Sequence, residues 1–227
     1  QNTLNDNHDY FYVKKADASR IYGLELEHIL SPNKINYLCW KNTLLEEHII
    51  GIPGDVFLRD HIQSVENVRF AKEFVKFNER SMIRLLGDMR AYNWVVDITP
   101  DFDKVQYRIR AIDFDQQTYE GRLRMYMPQY FRENLPLVEH VSKYISEASV
   151  KQYQIEERSL IRKRVRNSRH KLRDLVNYME QDVLAPEEKV EQLKKELAAH
   201  HNSKRFDDCT TMGQILRQHF LLSLLLN

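Results

Sequence analysis

Glycine is scarce in this chain, with six residues in 227 and none in a Gly-x-Gly arrangement. No glycine-rich loop of the kind that cradles phosphates is therefore visible. Cysteine is scarcer: Cys39 and Cys209 stand far apart and fit no metal-ligand spacing. That excludes a disulfide framework and a thiolate zinc site, and two reduced thiols in a cytoplasmic protein are expected. No signal-peptide pattern opens the chain, and the polar start QNTLNDNHD is expected to fray. The apolar run FLLSLLL (220–226) is far too short to span a bilayer and is expected to end an amphipathic helix, so no membrane partner is implied. Nor is there a charge excess: 34 Lys and Arg against 33 Asp and Glu leave +1, which predicts no polyanion partner from global charge.

What is present is a folding composition, 42% hydrophobic with twelve Tyr and ten Phe, enough to bury a core. YFYVKK (10–15) reads as a strand and ASRIYGLELEHIL (18–30) as a helix closed before Pro32. INYLCW (35–40) and NTLLEEHI (42–49) read as a hairpin turning at Lys41-Asn42, and GIPGD (51–55) as a turn. Apolar spacing from Val65 to Leu86 predicts a buried helix. WVVDI (94–98) and YRIRAI (107–112) form a second hairpin with an extended polar loop between them, in which Asp101-Phe102-Asp103 is turn chemistry. Beyond that the chain is helical. Residues 137–184 read as one or two long helices, and another helix starts at Pro186-Glu187-Glu188 and runs to about Ala199. Thr210 or Thr211 caps a last helix through Leu226.

RIRAIDFDQQ (108–117) places Asp113 and Asp115 just past a strand, a pattern that suggests a bound divalent cation. A haloacid-dehalogenase-type phosphatase would require Thr or Val where Gln117 stands, early in a parallel α/β domain. A nucleotide-sugar transferase would require a Rossmann-like sheet upstream. Neither context exists here. A second motif lies 25 residues before Asp113: LLGDMRAYNW (85–94) holds Asp88 with Asn93 five residues later, at the mouth of the same hairpin.

Together these segments resemble the catalytic loop and the Asp-Phe-Gly metal segment of the protein-kinase-like superfamily. Gly87 before Asp88, and a residue other than Gly after Asp113-Phe114, make the pair more similar to the aminoglycoside phosphotransferase and choline kinase branch, although Leu86 stands where that branch often has His. The resemblance covers about residues 10–130. It implies an α+β, two-lobed kinase-like fold: residues 1–50 a partial small antiparallel β lobe lacking its first strands, 51–136 the hinge and catalytic part, and 137–227 the helical remainder of the large lobe. It further implies ATP and Mg²⁺ as cofactors and a hydroxyl-bearing acceptor, small molecule or protein. Asp88 would be the catalytic base, with Asn93 and Asp113 as metal ligands. Asp115 would be a third ligand or a polar cap. Lys14 or Lys15 would reach the phosphates, paired with Glu25 or Glu27. Backbone groups of Glu46, Glu47, His48 and Ile49 would hold the adenine. Without a glycine-rich loop, three alternatives stay open: the first strands lie outside this chain, the nucleotide is covered differently, or activity is lost. In the last case the chain is a pseudokinase, a partner- or nucleic-acid-binding module.

Two further features stand apart from that resemblance. RSLIRKRVRNSRHKLR (158–173) carries eight Lys and Arg and no acid. It reads as a solvated helix face whose stripe Ile161, Val165, Leu172, Val176 and Met179 packs inward, or as a surface for an anionic partner. His48, His140, His200 and His201 have no partner at ligand spacing and are expected in surface or capping roles.

Overall fold

The computed structural model of the chain describes residues 10–102 and 104–225. The expectations of a frayed start over 1–9, a turn aspartate at Asp103 and a helix reaching Leu226 fall outside them. The architecture is α+β, with two small antiparallel sheets and a helical part. In chain order come β1 (Phe11–Lys15), α1 (Ala18–Leu30), β2 (Tyr37–Trp40), β3 (Thr43–Glu47), β4 (Ile52–Pro53), α2 (Gly54–Asp60) and α3 (Asn67–Arg84). Then follow β5 (Trp94–Asp101), β6 (Lys104–Ala111), α4 (Leu135–Tyr144), α5 (Glu147–Asn167), α6 (Arg169–Gln181), α7 (Glu187–His201) and α8 (Met212–Ser223).

The first sheet has the order β1-β3-β2 and the second β4-β5-β6. Lys41, with φ 51°, takes the left-handed turn between β2 and β3. α1 starts where Asp17 accepts a hydrogen bond from the Arg20 amide at 2.9 Å, and it ends at Ser31 before Pro32. Three expectations are corrected. GIPGD is not a free turn: Ile52 and Pro53 pair with Val96 and Val95 and Gly54 opens α2, because a short edge segment tolerates a proline that cannot donate. The β5–β6 hairpin is tight, with pairing out to Asp101 opposite Lys104, so the polar residues expected in a loop are strand ends facing solvent. Residues 137–184 contain most of α4 and two further helices, separated at Ile145-Ser146 and at Ser168, where Ser146 caps α5.

Two apolar clusters meet at α1 and α3. Leu24, Leu44, Phe57, Phe70, Phe77, Trp94 and Phe114 form one. Leu26, Ile29, Met82 and Ile83 join the inner faces of α5 through α8 in the other. Close helix contact is set by glycine: a Cβ on Gly213 would lie 2.3 Å from the Met179 carbonyl carbon, and one on Gly23 would lie 2.8 Å from the Phe114 Cβ. The second contact presses α1 directly onto the Asp113–Asp115 segment.

The basic stretch is only partly a solvated face. Its apolar stripe is buried as expected, but three of its arginines are structural. Arg158 pairs with buried Glu79, Arg162 donates to the Leu224 carbonyl at 2.7 Å, and Arg164 donates to the Leu30 carbonyl at 3.2 Å. The histidine expectation holds for some rings only. His140 is buried against the Asn67 carbonyl, while His201 hydrogen-bonds His219, which is fully buried. The His219 Nε2–H donates to the Met82 carbonyl at 3.1 Å, so its Nδ1 accepts from the His201 Nε2–H at 2.9 Å. Burial, with His201, His200 and Arg158 adding, pushes His219 down to about 3; burial, then His200 and Arg158, push His201 down to about 4. Because the unfolded imidazoles protonate near their ordinary values, their stabilising contribution is complete above about pH 6.5 and is lost as pH falls toward those lowered values. Stability should drop by about 1–2 kcal/mol between pH 7 and pH 5 from His219 alone. Urea unfolding of His219→Gln should show a flatter dependence over that interval, and equal slopes for the two proteins would rule the linkage out.

Candidate functional site

α3 ends on Leu85, whose φ of 54° turns the chain out of the helix. The loop that follows is laced to the segment after β6. The Gly87 amide donates to the Gln116 carbonyl at 3.1 Å, the Thr118 amide to the Leu85 carbonyl at 2.8 Å, and the Ile112 amide to the Asn93 carbonyl at 3.0 Å. Gly87 eases this close approach, since a Cβ there would lie 3.1 Å from the Gln116 carbonyl oxygen. Two motifs 25 residues apart thus become one surface.

Asp88 has φ 54°, a conformation that aspartate adopts more readily than most residues. Its carboxylate accepts from Arg90 Nε at 2.7 Å and from Asn93 Nδ2 at 3.1 Å. The same Asn93 Nδ2 donates to the Asp88 carbonyl at 2.7 Å, which fixes the amide and leaves Oδ1 as the side-chain atom that could ligate a cation. Asp113 Oδ1 accepts from the Phe114 amide at 2.9 Å, and Phe114 is fully buried, so the aspartate is anchored by its neighbour.

The first sheet contributes Lys14. Side chains alternate along β1, so Lys14 shares a face with Leu44 and Glu46 of β3, while Lys15 lies exposed on the other face. Lys14 Nζ meets buried Glu46 at 3.2 Å as a diagonal cross-strand pair. Burial raises the Glu46 carboxyl and Asp113 adds to the rise, whereas Lys14 and Arg20 oppose it. Burial likewise raises Asp115, with Asp113, Asp88 and Asp17 adding and Arg20 opposing. Lys14, Arg20, Glu46, Asp88, Asp113 and Asp115 therefore share one electrostatic environment.

The structure does not bring every expected residue here. Glu27 lies within the core and pairs with Arg84 of α3, not with Lys14. Burial pushes the Arg84 guanidinium down to about 9. Glu25 accepts from the Tyr37 hydroxyl, and Glu47 accepts from the Asn36 amide at 2.8 Å. The Glu47 and His48 amides donate to the Asn36 and Tyr10 carbonyls, both at 2.8 Å, so neither is available to an adenine. Ile49 is buried beyond the sheet.

The sequence reading missed Arg20. Its Nη2 stands 3.4 Å from Asp113 and 3.6 Å from Asp115. A signal existed: Arg20, Leu24 and Glu27 fall at i, i+4 and i+7, so both charged residues lie on the buried stripe of α1.

Among the described residues no three His, Cys, Asp or Glu side chains converge as a metal cage. Asp113, Asp115 and the Asn93 amide oxygen are hard oxygen donors of the kind Mg²⁺ uses, one or two carboxylates with waters and phosphate oxygens completing its octahedron. No protein-family model, curated protein or solved structure matches this chain, so its site is read from its own geometry.

Proposed function

We propose that this chain is an atypical kinase of the protein-kinase-like superfamily, an ATP- and Mg²⁺-dependent phosphotransferase acting on a hydroxyl acceptor. The observation that carries the reading is the joining of the Asp88–Asn93 loop to the Asp113–Asp115 segment across one hairpin, with the Lys14–Glu46 pair of the first sheet near enough to Asp113 for Glu46 to feel its charge. Mg²⁺·ATP supplies the electrophilic phosphoryl group. The chain's residues supply position and charge, which is most of what phosphoryl transfer requires of a protein. Asp88, its oxygens oriented by Arg90 and Asn93, accepts the acceptor's proton. Asp113, Asp115 and Asn93 would hold the cation, and Lys14 would leave Glu46 for a phosphate oxygen. Two free cysteines and the absence, among the described residues, of a helix long and apolar enough to cross a membrane are compatible with the cytoplasm, where ATP is available.

Thermal shift tests this directly. ATP with Mg²⁺ at about 100 times Kd should raise the melting temperature by about 5–10 °C, with little effect of ATP alone. No shift under either condition would sink the proposal. A pseudokinase is the second reading, favoured by Arg20, a built-in cation already facing both metal-binding carboxylates. A shift that ignores Mg²⁺, with no phosphoryl transfer, would select it.

A further inference from the structure

Arg20 is held more loosely than Arg80 and Arg158. Buried Arg80 meets Glu73 at 2.6 Å and Arg158 meets Glu79 at 2.5 Å. Arg20 has four partners and all are long: Asp113 at 3.4 Å, Asp115 at 3.6 Å, Asp17 at 3.8 Å and the Lys15 carbonyl at 3.5 Å. Its Nε is buried without a hydrogen-bond partner. A guanidinium has five N–H donors in a fixed fork suited to carboxylate or phosphate, and such groups bind strongly at about 2.7–2.9 Å. Here the fork sits in a partly covered site, pulled between two half-exposed carboxylates and satisfied by neither. That is costly for a buried polar group and cheap to exchange for something better.

The carboxylates it faces are the pair a divalent cation would take. A cation between Asp113 and Asp115 would replace the neutralisation that Arg20 provides and repel the guanidinium. Arg20 lies in the first turn of α1, and both it and Lys14 of β1 act on the Glu46 carboxylate. Released, it would face an anion arriving with the metal, in a site that lacks a glycine-rich loop to cover one.

We propose that Arg20 is a polyphosphate-binding residue held in reserve by Asp113 and Asp115, so that cation entry and nucleotide capture are one coupled event. This rests on the phosphotransferase reading and names the group that takes over the phosphate-covering role. Reciprocity follows: metal and nucleotide each strengthen the other's binding, and Arg20 carries that coupling.

The test uses the whole chain, with Mn²⁺ as a paramagnetic probe, titrated alone and with ATP, and ATP titrated by calorimetry with and without Mn²⁺. Arg20→Met should bind Mn²⁺ alone about fivefold more tightly, because a competitor is gone. It should bind ATP in the presence of Mn²⁺ about tenfold more weakly, reducing the coupling to what the metal's own contact with the phosphates supplies. Arg20→Lys, which keeps a charge but not the fork, should fall between the two, and it carries the test if the methionine variant does not fold. If neither Arg20 variant changes either constant while Asp113→Asn loses Mn²⁺, Arg20 is only structural and this inference alone fails. If the unaltered chain binds no Mn²⁺, the phosphotransferase reading falls and takes this inference with it.

Discussion

Asp113→Asn is expected to abolish Mg²⁺-dependent ATP binding and to lower phosphoryl transfer by about 10²–10³-fold or more, with the melting temperature changed by less than about 2 °C. The isosteric amide keeps an oxygen that can accept from the Phe114 amide, so the local turn survives. It loses the charge that attracts a cation and holds Arg20. Asp88→Asn should separate from it cleanly. Asp88 contacts Arg90 and Asn93 but has no place among the metal donors, so nucleotide binding should persist while kcat falls by about 10²–10⁴-fold, the usual contribution of a general base. Asparagine tolerates the left-handed backbone of position 88, which keeps the comparison free of folding effects. Wild-type turnover in both variants would refute the assigned chemistry. Loss of nucleotide binding in both would place Asp88 with the metal instead.

The largest effect on stability is expected at Glu157. This carboxylate is 2% exposed and faces Arg80 at 3.4 Å, Arg164 at 3.6 Å and Lys76 at 3.9 Å, linking α5 to α3. Glu157→Ala leaves Arg80 buried with only Glu73 and the Ile109 carbonyl as partners. Breaking a buried ion pair from one side typically costs about 3–5 kcal/mol, because the remaining charge stays desolvated. For a chain of this size that is a loss on the order of 10 °C in melting temperature. Arg173→Ala removes an exposed pair with Asp174 and should leave the melting temperature unchanged. A Glu157→Ala protein melting within about 2 °C of the parent would show that the network is relaxed by water.

Short-range chemistry made much of this fold legible. α1 runs over the residues expected from its apolar spacing, since Asp17 and Pro32 bound it locally. The β2–β3 hairpin and α7 follow similarly local signals. The extent of β5 and β6 was not legible, because solvent-facing strand ends have the same polar composition as a loop. Nor were the helix breaks at Ser146 and Ser168, which lie in a stretch free of Pro and Gly.

At the site, spacing and the family resemblance grouped Asp88, Asn93 and Asp113, and the β5–β6 hairpin brings the two segments together through the Ile112–Asn93 and Gly87–Gln116 backbone bonds. The choice of Lys14 over Lys15 depended on register, since a period of two sends adjacent lysines to opposite faces. The rest was decided by tertiary contact. Glu27 looked like the partner of a strand lysine, but helix periodicity turns it inward to Arg84, and Glu46 takes Lys14 across the sheet. Arg20 meets Asp113 across 93 residues of sequence, brought there because Gly23 lets α1 lie against Phe114. The sequence by itself determined that Asp88 and Asp113 flank one hairpin, because local strand pairing returns the chain to its start. Only the tertiary structure decided which cation the chain itself places there, because charge pairing between distant elements leaves no periodic trace.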